Sequence, residues 1–225
     1  MLENTLASSQ LAQARWLCIA SGKGGTGKTT TSLNLAVFAA HAGLSVCLVD
    51  LDSQRSLSRW HDRRPEQAPE IALWAGRFTD VRQAISEIQA RGLDLVVIDT
   101  PPSIDAHPAE VNALIRRSDL VLVPTTQGTT DLDSAIEWMN YLSREGIRSA
   151  FLLNRAQRTF GTYRRAKLRL NKAGPLCPVD VRQLEDIQAT HDLGVGVLEI
   201  ARSRAIEDYE GLWDFVSSQL GIRHS

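Results

Sequence analysis

The chain has 225 residues, 43% of them apolar, with 25 lysines and arginines against 26 aspartates and glutamates. That length and apolar content suit one soluble globular domain with a full core, and the formal net charge of -1 excludes a whole-molecule basic field, so any nucleic-acid contact must come from a local patch. The longest apolar run falls short of the roughly 20 residues of a spanning helix, and the start, MLENTLASSQ, lacks the basic end and apolar centre of a signal peptide, so the expectation is a cytoplasmic protein with no membrane contact.

In chain order, residues 1–14 read as a flexible arm ahead of a single domain over 15–222. The first strand, Trp16–Ala20, runs into a glycine-rich turn and a helix over Thr29–His41. Gly22, Lys23, Gly24, Gly25, Thr26, Gly27, Lys28 and Thr29 match G-x-x-x-x-G-K-[ST] without a gap. Between a strand and a helix, such a turn aims backbone N–H groups and the positive helix end at a polyphosphate. Lys28 then neutralises the β- and γ-phosphates, Thr29 offers a hydroxyl to Mg²⁺, and the glycines let backbone approach phosphate closely. Lys23 is a second lysine, where such a loop needs only one.

The next strand, Ser45–Asp50, ends in Asp50-Leu51-Asp52. Two acids at spacing two would share a face of a continuing strand, but this one is ending, so Asp52 falls in the turn beyond. There a carboxylate can orient the water that attacks a γ-phosphate. A strand over Ile71–Ala75 and a helix over Thr79–Arg91 follow, then the strand Leu93–Asp99, whose last residue should hold Mg²⁺ through water. Thr100-Pro101-Pro102 turns the chain away. Strands Leu120–Pro124 and Ser149–Asn154 bracket a helix over Leu132–Glu145. After Asn154 comes a basic stretch carrying Arg155, Arg158, Arg164, Arg165, Lys167, Arg169 and Lys172, a pattern that by itself describes either a solvated helix face or phosphate contacts. The tail, Ala205–Leu220, puts Leu212, Trp213, Phe215, Val216 and Leu220 largely on one helical face for the core, with Glu207, Asp208, Glu210 and Asp214 on its polar side. Cys18 and Cys47 lie in apolar strand runs, and neither they nor Cys177 form a C-x-x-C, which predicts buried thiols in a reducing compartment. Alternating strands and helices of this kind predict an α/β fold, a mostly parallel twisted sheet with helices on both faces.

Three segments carry a family resemblance: Lys23-Gly24-Gly25-Thr26-Gly27-Lys28-Thr29-Thr30, Asp50-Leu51-Asp52-Ser53-Gln54, and Ile98-Asp99-Thr100-Pro101-Pro102. Together they resemble the signature segments of the ParA/MinD family of deviant Walker P-loop ATPases, closest to short ParA-type partition ATPases without an N-terminal helix-turn-helix. The likeness extends to Val123-Pro124-Thr125 with Asp131, to Asn154-Arg155 and to Ala201-Arg202-Ser203-Arg204. It implies Mg²⁺-dependent hydrolysis of ATP to ADP, a P-loop of Gly22 to Thr30, and Asn154 and Arg155 at the nucleotide, with the Asn154 amide on the adenine edge. It also implies that Lys23 crosses a homodimer interface to the partner's ATP, that Asp52 is the catalytic switch, and that Asp50 supports it near Mg²⁺ beside Thr29 and Asp99. Arg182, Arg202 and Arg204 fit positions that touch non-specific DNA, placing the protein at the nucleoid with a ParB-like or cargo-adaptor activator. Ser53 and Arg55 depart from the usual proline and glycine, and Arg15 is the only basic residue of the N-terminal region. Two other readings share the P-loop. A metabolic ligase of the dethiobiotin-synthetase type would have no use for Lys23, and a MinD-like membrane ATPase would need a basic amphipathic tail, whereas this tail is acidic.

Overall fold

In the computed structural model, which describes residues 13–102 and 107–222, the strands expected from the sequence form. They are β1 Arg15–Ile19, β2 Val46–Asp50, β3 Ala72–Ala75, β4 Leu95–Asp99, β5 Leu120–Thr125 and β6 Ser149–Leu153. All pairings are parallel, in the order β3-β2-β4-β1-β5-β6. The helices are α1 Lys28–His41, α2 Ser56–His61, α3 Val81–Gln89, α4 Pro108–Arg117, α5 Thr129–Arg144, α6 Gly161–Ala173, α7 Glu185–Leu193 and α8 Ile206–Leu220. The expected arm lies outside the described residues apart from Gln13 and Ala14.

Because successive strand side chains point to opposite faces, one run of apolar residues supplies two cores. Leu17 and Ile19 join Leu95, Val97 and Leu122 beneath α1, α2 and α8. Trp16 and Cys18 join Val96, Ile98 and Val121 beneath α3, α4, α5 and α6. All three cysteines are free and buried. The tail helix α8 packs as expected through Leu212, Trp213, Val216 and Leu220. One residue departs from its expected place: Asp208 is buried, not on the polar face, because it takes Arg182 as a partner.

Register then sets the position of the chemistry. Asp50 is level with Asp99, and Asp99 with Ile19, so the ends of β2, β4 and β1 lie together at one sheet edge. In an open parallel sheet the carboxyl ends of the strands are where ligands bind. Among the described residues no helix is long and apolar enough to cross a membrane.

Candidate nucleotide site

The turn between β1 and α1 has the backbone its glycines allow. Gly25 has φ +76° and Gly27 φ +89°, left-handed values that cost other residues energy. Gly27 is the N-cap of α1 and brings no side-chain cap, and no acid stands in the first turn. The first N–H groups of the helix are thus left for an anion. Ser21 Oγ ties the loop to itself, donating to the Lys23 carbonyl at 3.1 Å and meeting Thr26 Oγ1 at 2.8 Å. Lys28 Nζ donates to the same carbonyl at 2.9 Å. Burial pushes the Lys28 ammonium below its ordinary pKa, against the pull of Asp99 and Asp52. A cation so poorly hydrated gains strongly from a polyphosphate.

At the end of β4, Thr29 Oγ1 donates to Asp99 Oδ2 at 2.6 Å, while Asp99 Oδ1 is buried without a hydrogen-bond partner. Burial raises the Asp99 carboxyl to about 7; the Thr29 bond and Lys28 oppose that rise, and Asp50 and Asp52 add to it. An orphaned buried carboxylate oxygen beside a hydroxyl is a hard-oxygen pair of the kind Mg²⁺ takes with phosphate and water. Thr29 and Asp99 therefore fit the ion. Asp50 has a structural job as well. Its Oδ1 accepts from the Asp52 N–H at 3.1 Å, and its Oδ2 from the Ser58 N–H and Oγ at 2.9 and 2.6 Å. With one oxygen on the Asp52 N–H and the other on Ser58, Asp50 ties the switch loop to α2. Asp52 lies beyond the strand as expected, lines the cavity, and accepts the Gln54 N–H on one oxygen. Arg55 caps α2 with φ +55°, which explains why glycine suits that position and leaves the arginine strained.

The cavity above the loop holds about 480 Å³. Gly24, Gly25, Gly27, Lys28, Thr29 and Thr30 of the loop line it, as do Asp52 and Pro102. Asn154 is buried against the loop: its Nδ2 donates to the Thr26 carbonyl at 3.0 Å and lies 3.4 Å from Thr31 Oγ1, while its Oδ1 accepts the Arg155 N–H at 2.8 Å. The expected base-reading amide is thus engaged in bracing the phosphate loop. Arg155, at φ +51°, does the same work from outside by donating from Nη1 to the Gly25 carbonyl.

The sequence reading missed the far wall. It is α7, with Leu184 just ahead of it, and it presents Leu184, Ile187, Gln188 and His191 to the cavity. His191 Nε2 lies 2.9 Å from Thr30 Oγ1. Burial, helped by Arg63 and opposed by Asp192, lowers the His191 pKa. The recurrence of these residues at i, i+3, i+4 and i+7 was a readable signal for a helix face.

Lys23 is not among the residues lining the cavity; its ammonium stands 3.6 Å from Asp131, at the start of α5. The three arginines expected to touch DNA part company. Arg182 turns inward, its Nε on both Asp208 oxygens at 3.0 and 2.8 Å and its Nη2 on the Arg204 carbonyl, and it lines the cavity. Its charge is matched there by Asp208. Arg202 and Arg204 stay exposed. In the basic stretch, Arg158 and Lys167 are drawn onto buried Asp180 and Arg169 onto Asp133. Arg164, Arg165 and Lys172 remain exposed.

Residues 17–206 match the CobQ/CobB/MinD/ParA nucleotide binding domain. The chain is 37% identical over 123 residues to the maintenance of carboxysome distribution protein A of Gloeobacter kilaueensis, covering 55% of this chain and 54% of that protein. The protein of the same name from Halothiobacillus neapolitanus is 28% identical over 200 residues, 85% of this chain and 91% of its own. Among solved structures, the septum site-determining protein MinD of Pyrococcus horikoshii, complexed with Mg-ADP, superposes with a TM-score of 0.76 at 20% identity, over 93% of this chain and 98% of that one.

Proposed function

The chain belongs to the CobQ/CobB/MinD/ParA family of nucleotide-binding ATPases, and on that premise we propose that it is a ParA-type positioning ATPase. In this reading ATP pairs two copies, the pair binds DNA without sequence preference at the nucleoid, and a ParB-like or cargo-adaptor activator triggers the hydrolysis that releases it. The observation that carries the reading is Lys23. Lys28 already serves the loop from within, whereas Lys23 belongs to the same loop yet keeps its ammonium outside its own cavity, on Asp131. That pair is partly exposed on both sides, so it is worth little and is readily exchanged for a stronger anion. Two polyphosphates brought face to face repel one another, and a lysine supplied from each opposite copy relieves that repulsion only when nucleotide is bound.

The remaining roles follow from position. Gly22 to Thr30 cradle the phosphates, Thr29 and Asp99 would hold Mg²⁺, which would supply charge neutralisation to the phosphates, and Asp52 orients water. Arg202 and Arg204 carry the DNA contact, which doubles in a dimer and is electrostatic and therefore sensitive to salt. The carboxysome-distribution relatives support cargo positioning.

The test is a titration of non-specific duplex by the full chain with ATP, with ADP and without nucleotide at several salt concentrations, beside light scattering. ATP alone should raise both mass and DNA affinity. Lys23→Ala should bind ADP yet stay monomeric with ATP, and Arg204→Ala should weaken all duplexes alike with a flatter salt slope. Equal DNA affinity in all three states, or an intact ATP dimer of Lys23→Ala, would refute the reading.

A further inference from the structure

The basic stretch after Asn154 divides once it is folded. Arg158, Tyr163 and Lys167 close on buried Asp180 at 2.8, 3.0 and 3.0 Å, and Arg169 closes on Asp133. Ala166 and Leu170 are the buried residues of α6. Leu168 is two positions from each of them, which at about 100° per residue puts it on the opposite side of the helix. It is 54% exposed. Arg164 and Lys172 stand one turn to either side of Leu168, with Arg165 beside them, and all three cations are exposed and form no ion pair among the described residues. Phe160, the N-cap of α6, continues the row at the same spacing and is 56% exposed. Among the described residues the large exposed hydrophobics are Phe160, Leu168 and Leu193, so two of the three belong to this one element. A single exposed apolar side chain needs no explanation, whereas two in one row with unpaired cations between and beside them mark a surface that is covered in use.

We propose that the outer face of α6 is a docking surface for an acidic amphipathic helix of a partner protein. The mixture of groups selects that chemistry. A phosphate backbone takes the cations alone and leaves both apolar side chains in water, and a bilayer takes a broader apolar face than one leucine flanked by charges. A helix with carboxylates on either side of an apolar seam uses every group in the row, its acids meeting Arg164, Arg165 and Lys172 and its seam covering Leu168 and Phe160. The dimensions agree. The 13 residues of α6 run about 20 Å. Phe160 and Leu168 lie about 12 Å apart along the axis, close to two turns of a partner helix. None of the residues in this row lines the nucleotide cavity, so the inference stands apart from the ATP reading.

The experiment measures anisotropy of a labelled synthetic peptide of about four helical turns, built from glutamate and leucine in amphipathic order, on the full chain with ADP. One counterpart carries serine for leucine and another lysine for glutamate. Wild type should bind the acidic leucine peptide about tenfold more tightly than the serine one, the worth of burying one leucine-sized side chain. Leu168→Ser should lose about tenfold, and Arg164→Glu/Arg165→Glu should lose more while gaining affinity for the lysine peptide. Arg82→Glu, an exposed charge reversal on α3, should stay within about twofold of wild type. All these side chains are exposed, so the variants should melt with wild type and keep its ATP turnover. Equal binding of the acidic leucine and serine peptides, or peptide binding that survives Leu168→Ser or the double reversal, would overturn the proposal. In that event, loss of duplex DNA or of phosphatidylserine vesicles by the same variants would assign the face to nucleic acid or to lipid instead.

Discussion

Replacing Gly27 by alanine should disable the site through one contact. At φ +89° a residue with a Cβ is left-handed, at a cost of about 1–2 kcal/mol. The added Cβ would overlap Asn154 Nδ2 and stand 3.3 Å from its Cγ, and its three nearest neighbours all belong to Asn154. That side chain cannot swing aside without surrendering its bond to the Thr26 carbonyl. An unpaired buried amide costs about 1–3 kcal/mol more. The sum, roughly 2–5 kcal/mol, corresponds to a loss of about thirty-fold to several thousand-fold in ADP affinity if it falls on the binding-competent loop. Titration calorimetry with Mg-ADP measures it, and thermal unfolding shows how much falls on stability instead. The double variant Gly27→Ala/Asn154→Ala removes the collision and keeps only the backbone strain. It should bind better than the sum of the single losses allows, by a coupling of about 1–3 kcal/mol. Strict additivity, or wild-type affinity in Gly27→Ala, would refute the account.

Asp52→Ala should retain nucleotide and lose about 10²–10⁴-fold in phosphate release; unchanged turnover would move the water-orienting role elsewhere. Arg55→Gly should raise stability by about 0.5–1 kcal/mol in urea unfolding, since relief of left-handed strain exceeds the extra freedom of the unfolded chain, and destabilisation would show that the arginine side chain contributes more than its backbone costs. Glu199 is bonded by Arg64 Nη2 at 2.9 Å and Nη1 at 3.1 Å, both side chains being largely buried. Burial pushes the Glu199 carboxyl up, but the bonds from Arg64, the Gly196 N–H and His41 outweigh it and hold the pKa below 4.5. Its contribution is therefore present above that ordinary value and lost as pH falls through the depressed folded one. Glu199→Ala should cost about 3–5 kcal/mol near neutrality, leaving Arg64 buried and unpaired, and Glu199→Gln should flatten the acid limb of the stability profile. An acid limb equally steep in Glu199→Gln would remove this pair from the account.

Strands were legible because parallel strands covered on both faces are apolar at almost every position, as in Leu95-Val96-Val97-Ile98. The phosphate loop was legible because its backbone, its lysine and its hydroxyl come from one unbroken stretch. Helices were legible when their apolar face was wide, as in α5 and α8, and missed when it was narrow. The six-residue α2 is too short for a period, and α6 buries only Ala166 and Leu170 beneath its charges, so it read as a basic run. The site divides the same way. Residue types set what Lys28, Thr29, Asp52 and Asp99 can do, and the turn after β2 placed Asp52 before any coordinates did. Other contacts were set by partners distant in sequence: Arg182 on Asp208, Asn154 on Thr26, His191 on Thr30. A hydrogen-bonding group acts with whatever donor or acceptor the fold brings within about 3 Å, and the sequence determines which groups exist while only packing determines which of them remain free for a ligand.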